Sequence, residues 1–120
     1  MITISFSLVL YRHSLVDIAP LLDSLVAISS VSSEFSLHLY VYDNSPSPMS
    51  PLLLTDHYPS LEIVHNATGR NIGYGAGHNK NFEIVNSFIT SPRDLFVVVN
   101  PDISFDSSIL EYLSLSLIHI

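Results

Sequence analysis

Strand-like and helix-like stretches take turns along this chain, and that alternation restricts the fold more than any other feature. Ile2, Ile4, Phe6, Leu8 and Leu10 alternate with Thr3, Ser5 and Ser7, a period of two that marks a first strand. Ile18, Leu21, Leu22, Leu25 and Val26 then recur at helical spacing. Ser14 and Asp17 have the form of a capping box, but Pro20 argues against so early a start, because proline is tolerated only in a first turn. The spacing predicts a helix from Asp17 to near Ser29. Leu37, Leu39 and Val41 alternate with His38, Tyr40 and Tyr42 in a second strand that ends at Asp43-Asn44. A proline-rich loop from Ser45 to Pro51 follows, with Ser50 and Pro51 suited to open a short helix. Leu61 to His65 reads as a third strand. Phe82, Val85 and Ile89 mark one face of a helix running from about Ala76 to Phe88. The unbroken apolar run Leu95 to Val99 predicts a fourth strand buried on both faces. A last helix begins near Ser107 and includes Ile109, Leu110 and Leu113. Strands alternating with helices imply an α/β fold with a largely parallel sheet and flanking helices.

The loops at the C-terminal ends of those strands carry the candidate chemistry, because open α/β sheets gather their ligands there. Asn71-Ile-Gly-Tyr-Gly-Ala-Gly-His-Asn79 places glycines at alternate positions, where backbone can approach a ligand without colliding side chains. Its Asn71 and Asn79 both donate and accept hydrogen bonds. The spacing does not fit a dinucleotide fingerprint or a Walker loop, and the segment follows the third strand rather than the first. The plainer reading is a flexible lead-in to a helix. Asn100-Pro-Asp102 puts a carboxylate just past the fourth strand, where one acid with water and phosphate oxygens is a common way to hold Mg²⁺ or Mn²⁺. Alternatively Asp102 caps a turn. Asp43 ends the second strand and either accepts from a base or ribose, or closes an Asx-turn with Asn44 and Ser45. Arg70 is the best-placed cation for a base or phosphate, or a solvated loop residue. Tyr11 either stacks on a flat ring or covers the sheet edge. The 6 histidines show no close metal-ligand spacing, and no serine–histidine–aspartate constellation follows from spacing.

Charge narrows the partners. Only 4 residues are basic and the formal net charge is −7, so no basic patch exists to neutralise a nucleic acid backbone. A bound diphosphate would need a local remedy, such as a metal ion, one arginine or a helix N-terminus. Cysteine is absent, which excludes disulfides and thiolate chemistry. The 120 residues form one domain or part of one. Charged residues make up 12%, few enough that part of the surface is expected to be covered. No apolar run approaches the ~18 residues of a spanning helix, and the N-terminus lacks the positive region of a signal peptide.

Taken in order, these motifs resemble the N-terminal half of family-2 glycosyltransferases with the GT-A fold, a Rossmann-like arrangement, and especially the rhamnosyltransferase-like members of bacterial polysaccharide synthesis. Val9-Leu-Tyr-Arg12 is similar to the family's opening strand and nucleotide-proximal loop, and Val41-Tyr-Asp-Asn-Ser45 to its second strand. Asn71–Asn79 is similar to its glycine-bearing segment, and Val99-Asn-Pro-Asp-Ile103 to the motif that replaces Asp-x-Asp in this branch. The resemblance covers nearly the whole chain. It implies that residues 1–120 bind a nucleotide-diphosphate sugar: Asp43 contacts the base with Tyr11 and Arg70 nearby, Asn71, Gly73 and Asn79 shape the pocket, and Asp102 holds Mg²⁺ or Mn²⁺ on the diphosphate. Asn100 stands where the first acid of Asp-x-Asp would be. The implied reaction is single-displacement transfer to a glycan or lipid-linked acceptor with inversion, in the cytoplasm or at the inner face of the membrane, with peripheral association. Nothing after Asp102 resembles the family's general-base segment, so the expectation is an incomplete fold, the acceptor-binding part being absent. The alternatives are a truncated remnant that at most binds nucleotide, and an unrelated dehydrogenase-like α/β module, which the glycine spacing disfavours.

Overall fold

The computed structural model describes residues 2–31, 35–87, 94–105 and 108–109 of the chain. Its elements run β1 (Ile2–Leu10), α1 (Leu15–Val31), β2 (Phe35–Asp43), α2 (Pro51–His57), β3 (Glu62–Ala67), α3 (Tyr74–Asn86) and β4 (Leu95–Val99). The strands form one four-stranded sheet in the order β3-β2-β1-β4, every neighbouring pair parallel. The alternation of strands and helices predicted this class, and the sheet has it. The chain steps outward from β1 to β2 to β3, then crosses back over α3 to place β4 on the other side of β1. The order therefore reverses at β1.

Side-chain parity in β1 sets the two layers. Ile4, Phe6, Leu8 and Leu10 face α1 and join Ile18, Leu21, Leu22, Leu25 and Ile28 in the main core, with Leu39, Val41, Leu54 and Val99. Each large aliphatic side chain buried this way contributes about 1.5–3 kcal/mol. Phe105 packs on Phe6 at 5.9 Å between ring centroids, and its N–H donates to Ser24 Oγ across 2.9 Å, so the segment after β4 returns over this layer. The opposite parity, Ser5, Ser7 and Val9, faces α3. Ser5 and Ser7 are buried as well, so both faces of β1 are covered despite the polar alternation.

Several boundaries differ from the sequence expectation. Helix α1 begins at Leu15, not Asp17. The Ser14–Asp17 capping box forms reciprocally: Ser14 N–H donates to Asp17 Oδ2 across 2.8 Å and Asp17 N–H donates to Ser14 Oγ across 3.3 Å. Pro20 lies inside the helix, and the carbonyl it leaves without a helical donor is that of Val16, an exposed residue within reach of solvent. Helix α3 begins at Tyr74 rather than Ala76, and its buried side is Gly77, His78, Asn81 and Val85. Phe82, expected on one helical face with Val85, is 43% exposed and meets Phe96 edge-on at 5.1 Å. Strand β4 is not buried throughout: Val98 is 50% exposed, because β4 is a sheet edge among the described residues. Ser108 and Ile109 are helical, while Ile89, Leu110 and Leu113 lie outside the described residues.

Glycine is needed at Gly77 for packing. A Cβ there would lie 2.8 Å from Val9 Cγ2, whereas at Gly75 nothing lies within 4 Å. Gly77→Ala should lower the unfolding free energy by about 1–3 kcal/mol, with Gly75→Ala causing no loss. Urea denaturation of the two variants checks the contrast.

Candidate functional site

Parallel pairing brings the C-terminal ends of all the strands to one edge. Leu10 is level with Asp43 and Asp43 with Ala67, while Leu8 is level with Val99. The order reverses between β1 and β4, and the loops leaving them diverge to form the crevice where ligands of such sheets bind. Tyr11 and Arg12 follow β1, Asn44 and Ser45 follow β2, Arg70 and Asn71 follow β3, and Asn100 and Asp102 follow β4.

Asn44 joins three of these loops. Its backbone N–H donates to Leu10 O across 2.7 Å, its Nδ2 donates to Gly73 O across 3.0 Å, and its Oδ1 accepts from Ile72 N–H across 3.2 Å. The residue is only 2% exposed. Ser45 extends the junction, its Oγ accepting from Arg12 N–H across 2.7 Å. Arg12 adopts the left-handed conformation at φ 58° and places its guanidinium 5.3 Å from the Tyr11 ring centroid. Tyr11 thus lies at the edge, partly covered by its neighbour.

Asp43 is placed at this edge but turned inward. It is 1% exposed, and its Oδ1 and Oδ2 accept from Ser45 N–H at 2.9 Å and Met49 N–H at 2.8 Å. The carboxylate organises the proline-rich loop, and a base could reach it only if that loop moved. His65, on the same face of the sheet, has its pKa lowered by burial, with the Asp43 charge opposing the shift.

The glycine segment divides its roles. Asn71 Oδ1 accepts from Gly73 N–H across 2.9 Å, an Asx-turn leading into α3. Gly73 sits at φ 93°, ψ 161° at the helix N-cap, a conformation closed to other residues at ordinary cost. Gly77 approaches the sheet rather than a ligand. Asn79 is exposed in the second turn of α3.

Asn81, not singled out in the sequence, is fully buried. Its Nδ2 donates to Ser7 Oγ at 2.9 Å, Tyr40 O at 3.1 Å and Leu8 O at 3.3 Å, fastening α3 across β1 and β2. Ser7 Oγ also shares a 2.6 Å hydrogen bond with His78 Nδ1. The pair has the form of a nucleophile and its base, but Ser7 is 0% exposed, so it is structural. Burial holds the His78 pKa below the ordinary value. The signal for Asn81 was its place four residues from both Gly77 and Val85, on the stripe facing the sheet.

Tyr74, at the start of α3, donates its hydroxyl to Asn100 Oδ1 across 2.7 Å, linking the glycine segment to the turn after β4. In that turn Ile103 N–H donates to Asn100 O across 3.4 Å, with Pro101 inside it, and Asp102 is exposed. Among the described residues no group of three or more His, Asp or Glu is arranged to hold a metal ion. Asp102 alone fits the other mode of binding, one carboxylate completed by water and ligand phosphates. Arg70, the residue before Asn71 in the loop after β3, is exposed. A cavity of about 310 Å³ lies elsewhere, lined by Thr3, Ser5, His38, Tyr40, Val64, Val85, Asp94 and Leu95 toward the opposite end of the strands. No family model, curated protein or solved structure matches the chain.

Asn44→Ala would remove the part-buried bonds to Ile72 N–H and Gly73 O and should lower stability by about 1–2 kcal/mol, measured by urea denaturation. Half-buried His65 and buried His78 give stability a pH dependence. With pKa values lowered in the fold, His65 and His78 stay neutral while the unfolded chain takes up protons below its ordinary value of 6.5. Stability should therefore be flat above that pH and fall below it, until the depressed folded-state values are passed. His78→Asn should reduce this slope between pH 7 and pH 5 in pH-resolved denaturation, His65 supplying the remainder.

Proposed function

We propose that this chain forms the donor site of a family-2 glycosyltransferase with the GT-A fold, binding a nucleotide-diphosphate sugar at the C-terminal edge of its sheet. The observation that carries the reading is the convergence, at the point where strand order reverses, of Tyr11, Arg12, the Asn71–Tyr74 lead-in to α3, and the Asn100–Asp102 turn. Arg12 and Arg70 supply positive charge there, and Tyr11 supplies a flat ring for a base.

Asp102 would hold Mg²⁺ or Mn²⁺, which when bound neutralises the diphosphate as the sugar–phosphate bond breaks. The acceptor in this reading is a glycan or a lipid-linked saccharide, and the reaction inverts the anomeric centre. Work on a lipid-linked acceptor would bring the protein to the inner face of the cell membrane. Among the described residues no helix is long and apolar enough to cross a membrane, so that association would be peripheral.

A second reading rests on Asp43. With both its oxygens bound to backbone N–H groups, the base-contacting role implied by the resemblance is not ready-made. A domain that binds nucleotide weakly and turns nothing over is consistent with that closed loop.

Calorimetry with UDP and dTDP, with and without Mn²⁺, tests the donor site. At least one nucleotide should bind, and more tightly with the metal. Asp102→Ala should abolish the Mn²⁺ increment while leaving the metal-free affinity nearly unchanged. Folded protein that binds neither nucleotide would remove the reading.

A further inference from the structure

The cavity at the far end of the strands is built from the polar side of the sheet. Of the described helices only α3 lies on that side, and its last buried residue is Val85. Past Val85 the strands present Ser5 from β1, His38 and Tyr40 from β2 and Val64 from β3, with Asp94 at the entry to β4. These groups border about 310 Å³, a volume in the range of small-molecule pockets. At the same level the α1 side of the sheet is aliphatic, with Ile4, Leu37 and Leu39. The polar lining therefore belongs to one face and one end of the sheet, away from the loops at the C-terminal edge.

Counting donors and acceptors shows what the cavity can still bind. Ser5 and Tyr40 are both buried. Burial pushes the Tyr40 phenol above its ordinary value and the facing Ser5 hydroxyl opposes the shift, so the phenol keeps its proton at neutral pH. Two facing hydroxyls use one proton between them and leave one proton and several lone pairs. Asp94 Oδ1 accepts from Thr3 N–H across 3.0 Å, and Asp94 forms no ion pair among the described residues, so Oδ2 keeps its acceptor capacity. His38 Nε2 is engaged with Ser36 Oγ at 3.0 Å. The capacity that remains is mostly for accepting hydrogen bonds, and it carries one negative charge.

We propose that this cavity is a binding site, separate from the crevice at the strand ends, for a small primary amine, with its ammonium group at Asp94 and its apolar body against Val64 and Val85. An ammonium has three N–H donors and no acceptor, the complement of the lining. Its one charge matches one carboxylate, and a charge-assisted bond of this kind is stronger than a neutral one. An anionic ligand of the same size would meet the Asp94 charge directly, in a chain whose net charge of −7 already repels it. A neutral ligand would take water from Asp94 without offsetting its charge.

The test titrates the full chain with phenethylamine and, separately, with hydrocinnamate, which has the same body and a carboxylate in place of the ammonium. Two-dimensional amide NMR follows both. Phenethylamine should move the signals of Ser5, Tyr40, Val64 and Val85 with a Kd of about a millimolar, and leave those of Tyr11, Asn44 and Asn100 in place. Hydrocinnamate should bind at least about tenfold more weakly. Asp94→Asn keeps a side-chain oxygen for Thr3 N–H while removing the charge, and should weaken phenethylamine about tenfold. Val85→Phe fills the cavity and should abolish the shifts. Should that variant not fold, Asp94→Asn and the pair of probes decide the matter. Unmoved cavity signals at about 20 mM phenethylamine overturn the proposal. So does equal binding by Asp94→Asn, equal binding of hydrocinnamate, or movement confined to the strand-end loops. The outcome does not depend on whether UDP or dTDP binds, so it leaves the donor-site reading to its own test.

Discussion

The candidate site depends first on the buried side chain of Asn44. Loops at the end of a parallel sheet have no ladder to hold them, since each leaves its strand toward a different helix. Asn44 replaces that missing ladder by bonding to the end of β1 through its backbone and to the lead-in of α3 through both ends of its amide. The flanking residues follow the same logic: Asp43 gathers the loop after β2 and Ser45 holds the turn after β1. Three consecutive residues thus fix the relative positions of loops from three strands. Bonds sheltered in this way are costly to leave unmade, so the junction favours one arrangement of the loops.

A second constraint comes from the unequal faces of the sheet. The α1 face is a continuous aliphatic core, and any well-filled set of large apolar side chains would serve there. The α3 face is polar at its centre, with Ser7, His78 and Asn81 sharing hydrogen bonds under a helix that approaches closely at Gly77. Apolar packing tolerates sliding, whereas Asn81 bonds to fixed carbonyl groups on β1 and β2 and gives the helix a register. That register places Tyr74 where it reaches Asn100. The polar layer beneath α3 is therefore connected to the chemistry above it through named contacts, not merely through proximity.

Much of the architecture was legible in the chain because periodicity reports burial directly. All the described strands and helices were foreseen within a few residues, and their alternation implied the parallel sheet. The errors arose where a local rule met its surroundings. Pro20 suggested a late helix start, but the carbonyl it leaves unpaired belongs to exposed Val16, and the Ser14–Asp17 box starts the helix ahead of it. The apolar run of β4 suggested burial on both faces, but a sheet edge leaves Val98 open. Of the candidate site, Asn71, Gly73, Arg70, Tyr11, Asn100 and Asp102 do come to the strand ends. Asn44, Tyr74, His78 and Asn81 were passed over, because a polar residue beside a motif looks the same whether it is solvated or clamped.

The sequence by itself determined which stretches become strands and helices, that the strands run parallel, and that glycine, asparagine and aspartate gather at their C-terminal ends. Those properties depend on near neighbours and on spacing. Only the tertiary structure decided that Asp43 turns inward, that Gly77 serves packing while Gly73 serves a turn, and that Asn81 rather than Asn79 is buried. It also decided that Tyr74 reaches Asn100 across the strand ends. Each of these outcomes is a hydrogen bond or a close approach between residues far apart in the chain, and such partners carry no local signature until the sheet order brings them together.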